Sequence, residues 1–167
     1  MPHKHLNKRP PVRKEPALPK PNPNYIRDLI HIVNTSPFPE HMSMKLVSID
    51  MDRAVIELLA SRRHLQPYGM VHGGVVATLI DTATFWAGFM RIPEDSGMVN
   101  IDLKLNYLKP FEKGLLRATG LALRSGKSIS YAEANVLDAE GELIAHGTST
   151  LMTLPGKGLS TGLSKFI

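Results

Sequence analysis

The stretch VHGGVVATLIDTATFWAGFM, from Val71 to Met90, decides the fold. It has about the length of a membrane span. Asp81, three threonines and several glycines argue against insertion into lipid. Read as a helix from Gly74 to about Arg91, it closes with Arg91 in its last turn and Pro93 just beyond. A surface helix shows one apolar stripe. Here Val75, Val76, Leu79, Ile80, Ala83, Phe85, Trp86, Ala87, Phe89 and Met90 leave no broad polar face. Such a helix is expected to lie against a sheet on one side and a further layer, a second subunit, on the other.

Asp81 sits in the middle of this helix. An ionised carboxylate among apolar side chains is costly unless paired or hydrogen-bonded, and burial raises its pKa. It is a candidate general base or nucleophile. The alternative is structural, a carboxylate capping a neighbouring loop or bonding Thr78, Thr82 or Thr84. At the helix start, His72-Gly73-Gly74 offers close backbone approach and free N–H donors. The helix dipole there suits a carbonyl oxygen gaining negative charge, although glycines also serve in plain tight turns. Asp81 stands nine residues after His72, and nine helical residues span about 13 Å. Both groups cannot comfortably reach one substrate carbonyl within one chain. Two antiparallel helices across a dimer would bring Asp81 of one subunit to Gly73 of the other, giving two sites per dimer.

Outward from the helix, the period changes from 3.6 to 2. In Asn100–Leu108, Ile101, Leu103, Leu105 and Tyr107 alternate with polar residues, which predicts a half-buried strand. Further strands are predicted at Gly114–Leu123, Ser128–Asp138 and Glu142–Leu154, the last two joined by a hairpin at Ala139-Glu140-Gly141. Upstream, Tyr25–Val33 reads as a short amphipathic helix. Met44–Met51 and Arg53–Ala60 read as strands turning around Asp50–Asp52, and residues 61–69 as a loop. The sum is α+β: a curled antiparallel sheet wrapped around one long central helix.

The chain has 167 residues, no cysteine and a formal net charge of +5. One domain is expected, without disulfides, thiolate metal sites or a cysteine nucleophile. The charge is local. Residues 1–23 hold Lys4, Lys8, Arg9, Arg13, Lys14 and Lys20 against Glu15 alone, and seven of the 13 prolines. This arm is a tether for nucleic acid or a membrane surface by its charge, or a solvated arm packed on its own oligomer. The second reading is preferred because no aromatic residue precedes Tyr25; neither nucleic acid nor membrane is expected as a partner. Residues 24–155 form the expected domain, and 156–167, rich in Gly, Ser and Lys, a loose tail. No signal-peptide core follows the basic start, so a soluble, cytoplasmic protein is expected. No metal or cofactor is expected: His3, His5 and His31 are scattered, and neither a phosphate-binding loop nor a serine-hydrolase elbow is present.

The run from Gln66 through His72-Gly73-Gly74 to Asp81 resembles the signature of the hotdog-fold acyl-CoA thioesterases, in the phenylacetate-pathway (PaaI-like) branch. That pattern is Asn-x-x-Gly-x-x-His-Gly-Gly followed by an aspartate on the central helix. Asn106-Tyr107-Leu108-Lys109-Pro110 is similar to the family's strand ending in Tyr-Leu-x-Pro, and Arg124-Ser125-Gly126-Lys127-Ser128 to its next turn. The resemblance covers roughly residues 40–153.

The resemblance implies a hotdog fold and hydrolysis of an acyl-CoA thioester to free acid and CoA. Asp81 would activate water or attack the thioester carbon. The Gly73 N–H would be the oxyanion donor across the subunit interface, within a dimer or a dimer of dimers (a homotetramer). His72 would hold the thioester or simply the loop. Gln66 stands where the family has Asn; the amide is the same on a stem one methylene longer. That either keeps the polarising contact or misplaces it, and the second outcome would leave a non-catalytic acyl-CoA-binding protein. Asn100 falls near a position often holding Ser or Thr and is a supporting partner. Arg124 and Lys127, with Ser128, would meet CoA phosphates, or form a basic hairpin turn in water. Phe85, Trp86 and Phe89 either line an apolar pocket or pack the core. A hotdog hydratase or dehydratase would need a His/Asp or His/Glu pair that the sequence does not offer.

Overall fold

The computed structural model describes residues 19–167. Most of the basic arm, including His3 and His5, lies outside the described residues. The chain runs α1 (Pro23–Asn34), α2 (Pro37–Met42), β1 (Met44–Asp50), β2 (Arg53–Ala60), a 3-10 turn (Arg62–His64), α3 (Gly73–Phe89), β3 (Ser96–Tyr107), β4 (Gly114–Ser125), β5 (Ile129–Leu137) and β6 (Leu143–Pro155). The strands form one antiparallel sheet in the order β1-β2-β4-β5-β6-β3. It curls around α3, which touches all six strands.

The α3 helix lies close on the sheet because β4 carries a glycine at the crossing. A Cβ on Gly120 would fall inside the Ala83 carbonyl oxygen. At the far end of α3, the Arg91 guanidinium makes a two-pronged ion pair with Asp52. Asp52 holds the tight β1–β2 turn at φ 61°. The α1 helix packs mainly on β1. Tyr25, Leu29 and Val33, spaced by four on α1, join the buried cluster that contains Leu79, Trp86 and Phe89. Asn34 stitches α1 to β1 by accepting from the Leu46 N–H (2.8 Å) and donating to its carbonyl (3.0 Å).

Two expectations need correction. The alternation predicted over Asn100–Leu108 is broken by a bulge between Asn100 and Asp102. Asp102 accepts from the Thr150 N–H (2.8 Å) and hydroxyl (3.2 Å). Leu103 and Leu105 stay half-buried, whereas Ile101 and Tyr107 are more than half exposed (52% and 58%). The C-terminal segment is also not loose. Lys165 is wholly buried, and its ammonium donates to the carbonyls of Phe89 (3.2 Å) and Ile92 (3.0 Å). Composition hid this because a Gly/Ser/Lys-rich segment can still bind through its backbone and one buried side chain. Among the described residues, no helix is long and apolar enough to cross a membrane.

Candidate functional site

Asp81 lies two turns into α3 and is half-buried. Burial, the larger influence, raises its pKa above the usual carboxylate range, while a hydrogen bond from Asn100 works the other way. The Asn100 amide reaches the carboxylate at 2.7 Å and the Asp81 backbone carbonyl at 3.1 Å. Because its NH₂ faces two acceptors, the amide orientation is fixed. Its own oxygen is then buried without a partner among the described residues. The threonines named as possible structural partners are engaged elsewhere or play no part: Thr78 donates to the Gly74 carbonyl, and Thr84 to the carbonyls of Ile80 and Asp81.

Asp81 opens on a cavity of about 370 Å³ whose walls include Phe85, Trp86 and Phe89. The three rings form one cluster, with Trp86 edge-on to both phenylalanines at 4.9 Å. They pack the core and line the pocket together, so the two sequence readings describe two sides of one cluster. Lys157 and Leu159 complete part of the wall. Nothing in the sequence pointed to them.

Gly73 opens on a different cavity, of about 320 Å³, which it shares with Gln66, Tyr107 and Phe111. His72 is the N-cap of α3, and its Nδ1 accepts from the Gly74 N–H at 2.9 Å. That leaves the Gly73 N–H without a hydrogen-bond partner among the described residues, at the positive end of a 17-residue helix. The Tyr107 ring packs over Gly73, where a Cβ would come within 3.0 Å of it, and its hydroxyl donates to the Gly73 carbonyl at 3.1 Å. Tyr107 was legible only as part of a motif; its role needed the structure. So did that of His64. This buried ring sits between the Ser61 N–H and the Met42 carbonyl, and its own carbonyl takes the His72 N–H at 2.8 Å.

Gln66 closes its own loop. Its side-chain oxygen accepts from the Tyr68 N–H at 2.6 Å, and its backbone bonds Met70 and Gly69. Its amide NH₂ makes no hydrogen bond among the described residues. Gln66 and Gly73 thus come together, and Asp81 and Asn100 come together, but the two pairs open on separate cavities. Arg124 and Lys127 border a third hollow of about 670 Å³ with Arg91. Ser128 is exposed and holds the β5–β6 pairing through its carbonyl, which takes the Thr153 N–H at 2.9 Å. Among the described residues, no three His, Asp or Glu side chains cluster as metal ligands would.

Residues 68–145 match the Thioesterase superfamily. The chain is 28% identical over 112 residues to the 1,4-dihydroxy-2-naphthoyl-CoA hydrolase of Listeria monocytogenes, covering 67% of this chain and 91% of that one. It is 29% identical over 107 residues to mouse acyl-coenzyme A thioesterase 13, covering 63% and 76%. Among solved structures, a Haemophilus influenzae thioesterase superposes with TM-score 0.75 at 21% identity, covering 84% of this chain and 97% of that one. The PaaI protein of the Escherichia coli phenylacetic acid degradation operon superposes with TM-score 0.71 at 18% identity, covering 80% and 95%. At those identities the structural likeness speaks to the fold.

Proposed function

This chain belongs to the thioesterase superfamily and is a thioester hydrolase, and on that premise we propose that it cleaves acyl-CoA thioesters with Asp81 as the reacting carboxylate. The observation that carries this reading is the Asp81–Asn100 pair. A half-buried carboxylate with a raised pKa is held by a fixed amide at the wall of an apolar cavity. Ionised, Asp81 takes a proton from water attacking the thioester carbon, or attacks that carbon itself to form an anhydride that water then hydrolyses. In either route the C–S bond breaks and CoA leaves as a thiolate that takes up the proton released from water. The negative charge developing on the thioester oxygen is met by the Gly73 N–H, aided by the helix dipole and by the Gln66 amide. A donor of this kind is worth about 3 kcal/mol in other enzymes. His72 acts through the loop, holding Gly74 so that the Gly73 N–H stays free.

Because Asp81 and Gly73 open on separate cavities, the complete site draws Asp81 from one subunit and Gly73 from another. The outer edge of β3 supports this, since it bears exposed Val99, Ile101 and Tyr107 and pairs with no strand among the described residues. A dimer, or a dimer of dimers, forms there. The groups proposed to react with or bind the thioester all lie within residues 24–155. Arg124 and Lys127 take the CoA phosphates, with Ser128 at the same turn.

Thiol release from short, long and aryl acyl-CoAs, by wild type and Asp81→Asn side by side, tests the reading. Turnover by wild type and a loss of about a hundredfold or more in the variant is expected; undiminished turnover in the variant overturns it. The engagement of the Gln66 oxygen within its own loop favours one second reading, an acyl-CoA-binding protein without turnover. Tight binding with no thiol release by wild type would select it.

A further inference from the structure

The C-terminal segment, residues 156–167, lies outside the stretch matched to the superfamily, residues 68–145. It nevertheless forms part of the cavity onto which Asp81 opens, through Lys157 and Leu159. Several bonds hold it there. Gly158 N–H donates to the Asp95 carbonyl at 2.9 Å, and Glu94 takes the Ser164 hydroxyl (2.9 Å) and the Lys165 N–H (2.8 Å). The Asn22 N–H closes on the Lys165 carbonyl at 2.8 Å, and the Ile167 N–H on the Lys20 carbonyl at 3.0 Å.

Lys165 is the centre of this lacing. Its ammonium binds the carbonyl of Phe89, the last residue of α3, and that of Ile92 just beyond, and lies 4.1 Å from the centroid of the Phe89 ring. Phe89 is itself a wall of the Asp81 cavity. One aromatic ring is therefore both in contact with Lys165 and a wall of the cavity. Gly97 on β3 completes the fit: a Cβ there would meet the Lys157 carbonyl at 2.6 Å, so the segment lies directly on the strand.

We propose that residues 156–167 are a fixed wall of the acyl-binding cavity, that Leu159 limits the length of acyl group admitted, and that Lys165 is the positioning residue that holds the wall in place. The ligand class is a compact, largely apolar acyl group that lies against Phe85, Trp86 and Phe89; long chains are excluded by the segment. This inference rests on the thioesterase reading for its substrate, but its geometry is independent of turnover.

The test compares wild type, Leu159→Ala and Lys165→Met by the ratio of kcat/KM for palmitoyl-CoA to that for acetyl-CoA. Both substitutions should raise the ratio by about tenfold or more, since apolar-pocket contacts discriminate at that scale, and mainly through the KM for palmitoyl-CoA. A lesion that merely loosened the fold would lower both rates together. Trp86 is the only tryptophan in the chain and lines the cavity. Its fluorescence therefore reports binding of non-hydrolysable S-alkyl-CoA analogues, hexadecyl against ethyl, in the same three proteins. An unchanged length preference in both variants, by rate and by fluorescence, overturns the wall. A shifted preference by fluorescence with no thiol release from wild type keeps the wall and overturns the hydrolase.

Discussion

Asn100 of β3 donates its side-chain amide to both the carboxylate and the backbone carbonyl of Asp81, at 2.7 and 3.1 Å. One residue of an edge strand thereby fixes the rotamer of the helix carboxylate and partly offsets the cost of burying it. In the reaction proposed above, Asp81 acts, as base or as nucleophile, only when ionised, so the rate should fall as pH falls through its pKa. Asn100→Ala removes the group that lowers that pKa and leaves the burial that raises it. The acid limb of the kcat/KM profile should move to higher pH, and misplacement of the carboxylate should lower the whole profile by about tenfold or more. A profile superposable on wild type would count against the pairing.

Lys165 gives a second pH dependence, in stability. Burial lowers its pKa to about 8 from an ordinary 10.5, against a smaller opposing influence from Glu94. Between those values the unfolded chain binds more protons than the folded one, so this lysine's contribution makes stability rise with pH above about 8. The Tyr25 hydroxyl, pushed up to about 12 by burial, acts in the opposite sense above its ordinary value of 10.0, so the clean window lies below that. Urea unfolding of wild type and Lys165→Met at the two ends of the window measures it. The wild type should gain stability relative to the variant as pH rises, and parallel behaviour would contradict the assignment.

Gly120→Ala should be among the most damaging small substitutions in the chain. The added methyl meets the Ala83 carbonyl of α3, which is backbone and cannot swing aside as a flexible side chain would. A cost of about 1–3 kcal/mol or more is expected, measured by denaturant unfolding. It should be accompanied by lost activity even in the folded fraction, because Asp81 is two residues from the clash.

Tyr107→Phe separates hydroxyl from ring. The ring still covers Gly73, but the Gly73 carbonyl loses the Tyr107 hydroxyl as a donor. About 1 kcal/mol of stabilisation goes with it, which should appear as a several-fold loss of kcat and a fall of about 2–4 °C in Tm. A loss in KM alone would mean that the Gly73 end of the helix binds substrate without serving the reaction.

Most of the fold was legible because its signals are local. The continuous apolar surface of α3, the strand runs of β4 to β6 and the stop at Pro93 mark elements without knowledge of their partners, whereas α2, which begins at Pro37 and contains Pro39, went unread. The β3 bulge was not legible. Nothing near Asn100 breaks the pattern, and the deviation is held by Thr150, 48 residues away along the chain. Of the candidate site, Asp81 and Gly73 stood out because a buried charge and a bare helix start are unusual in sequence. Tyr107, His64 and Lys165 did not, since each acts on a backbone atom far along the chain and leaves no mark in its own neighbourhood. The tail misled for a related reason: its one buried lysine looks like any solvated one.

The separation of Asp81 and Gly73 onto different cavities carries a genetic consequence. In the paired arrangement proposed above, every helix lends its start to one site and its middle to another. An inactive Asp81→Asn chain and an inactive chain altered at Gly73 would each spoil both sites in their own homodimers. Mixed in one dimer, they leave one site with both lesions and the other with none. Two dead alleles, co-expressed, should therefore restore a measurable fraction of wild-type activity.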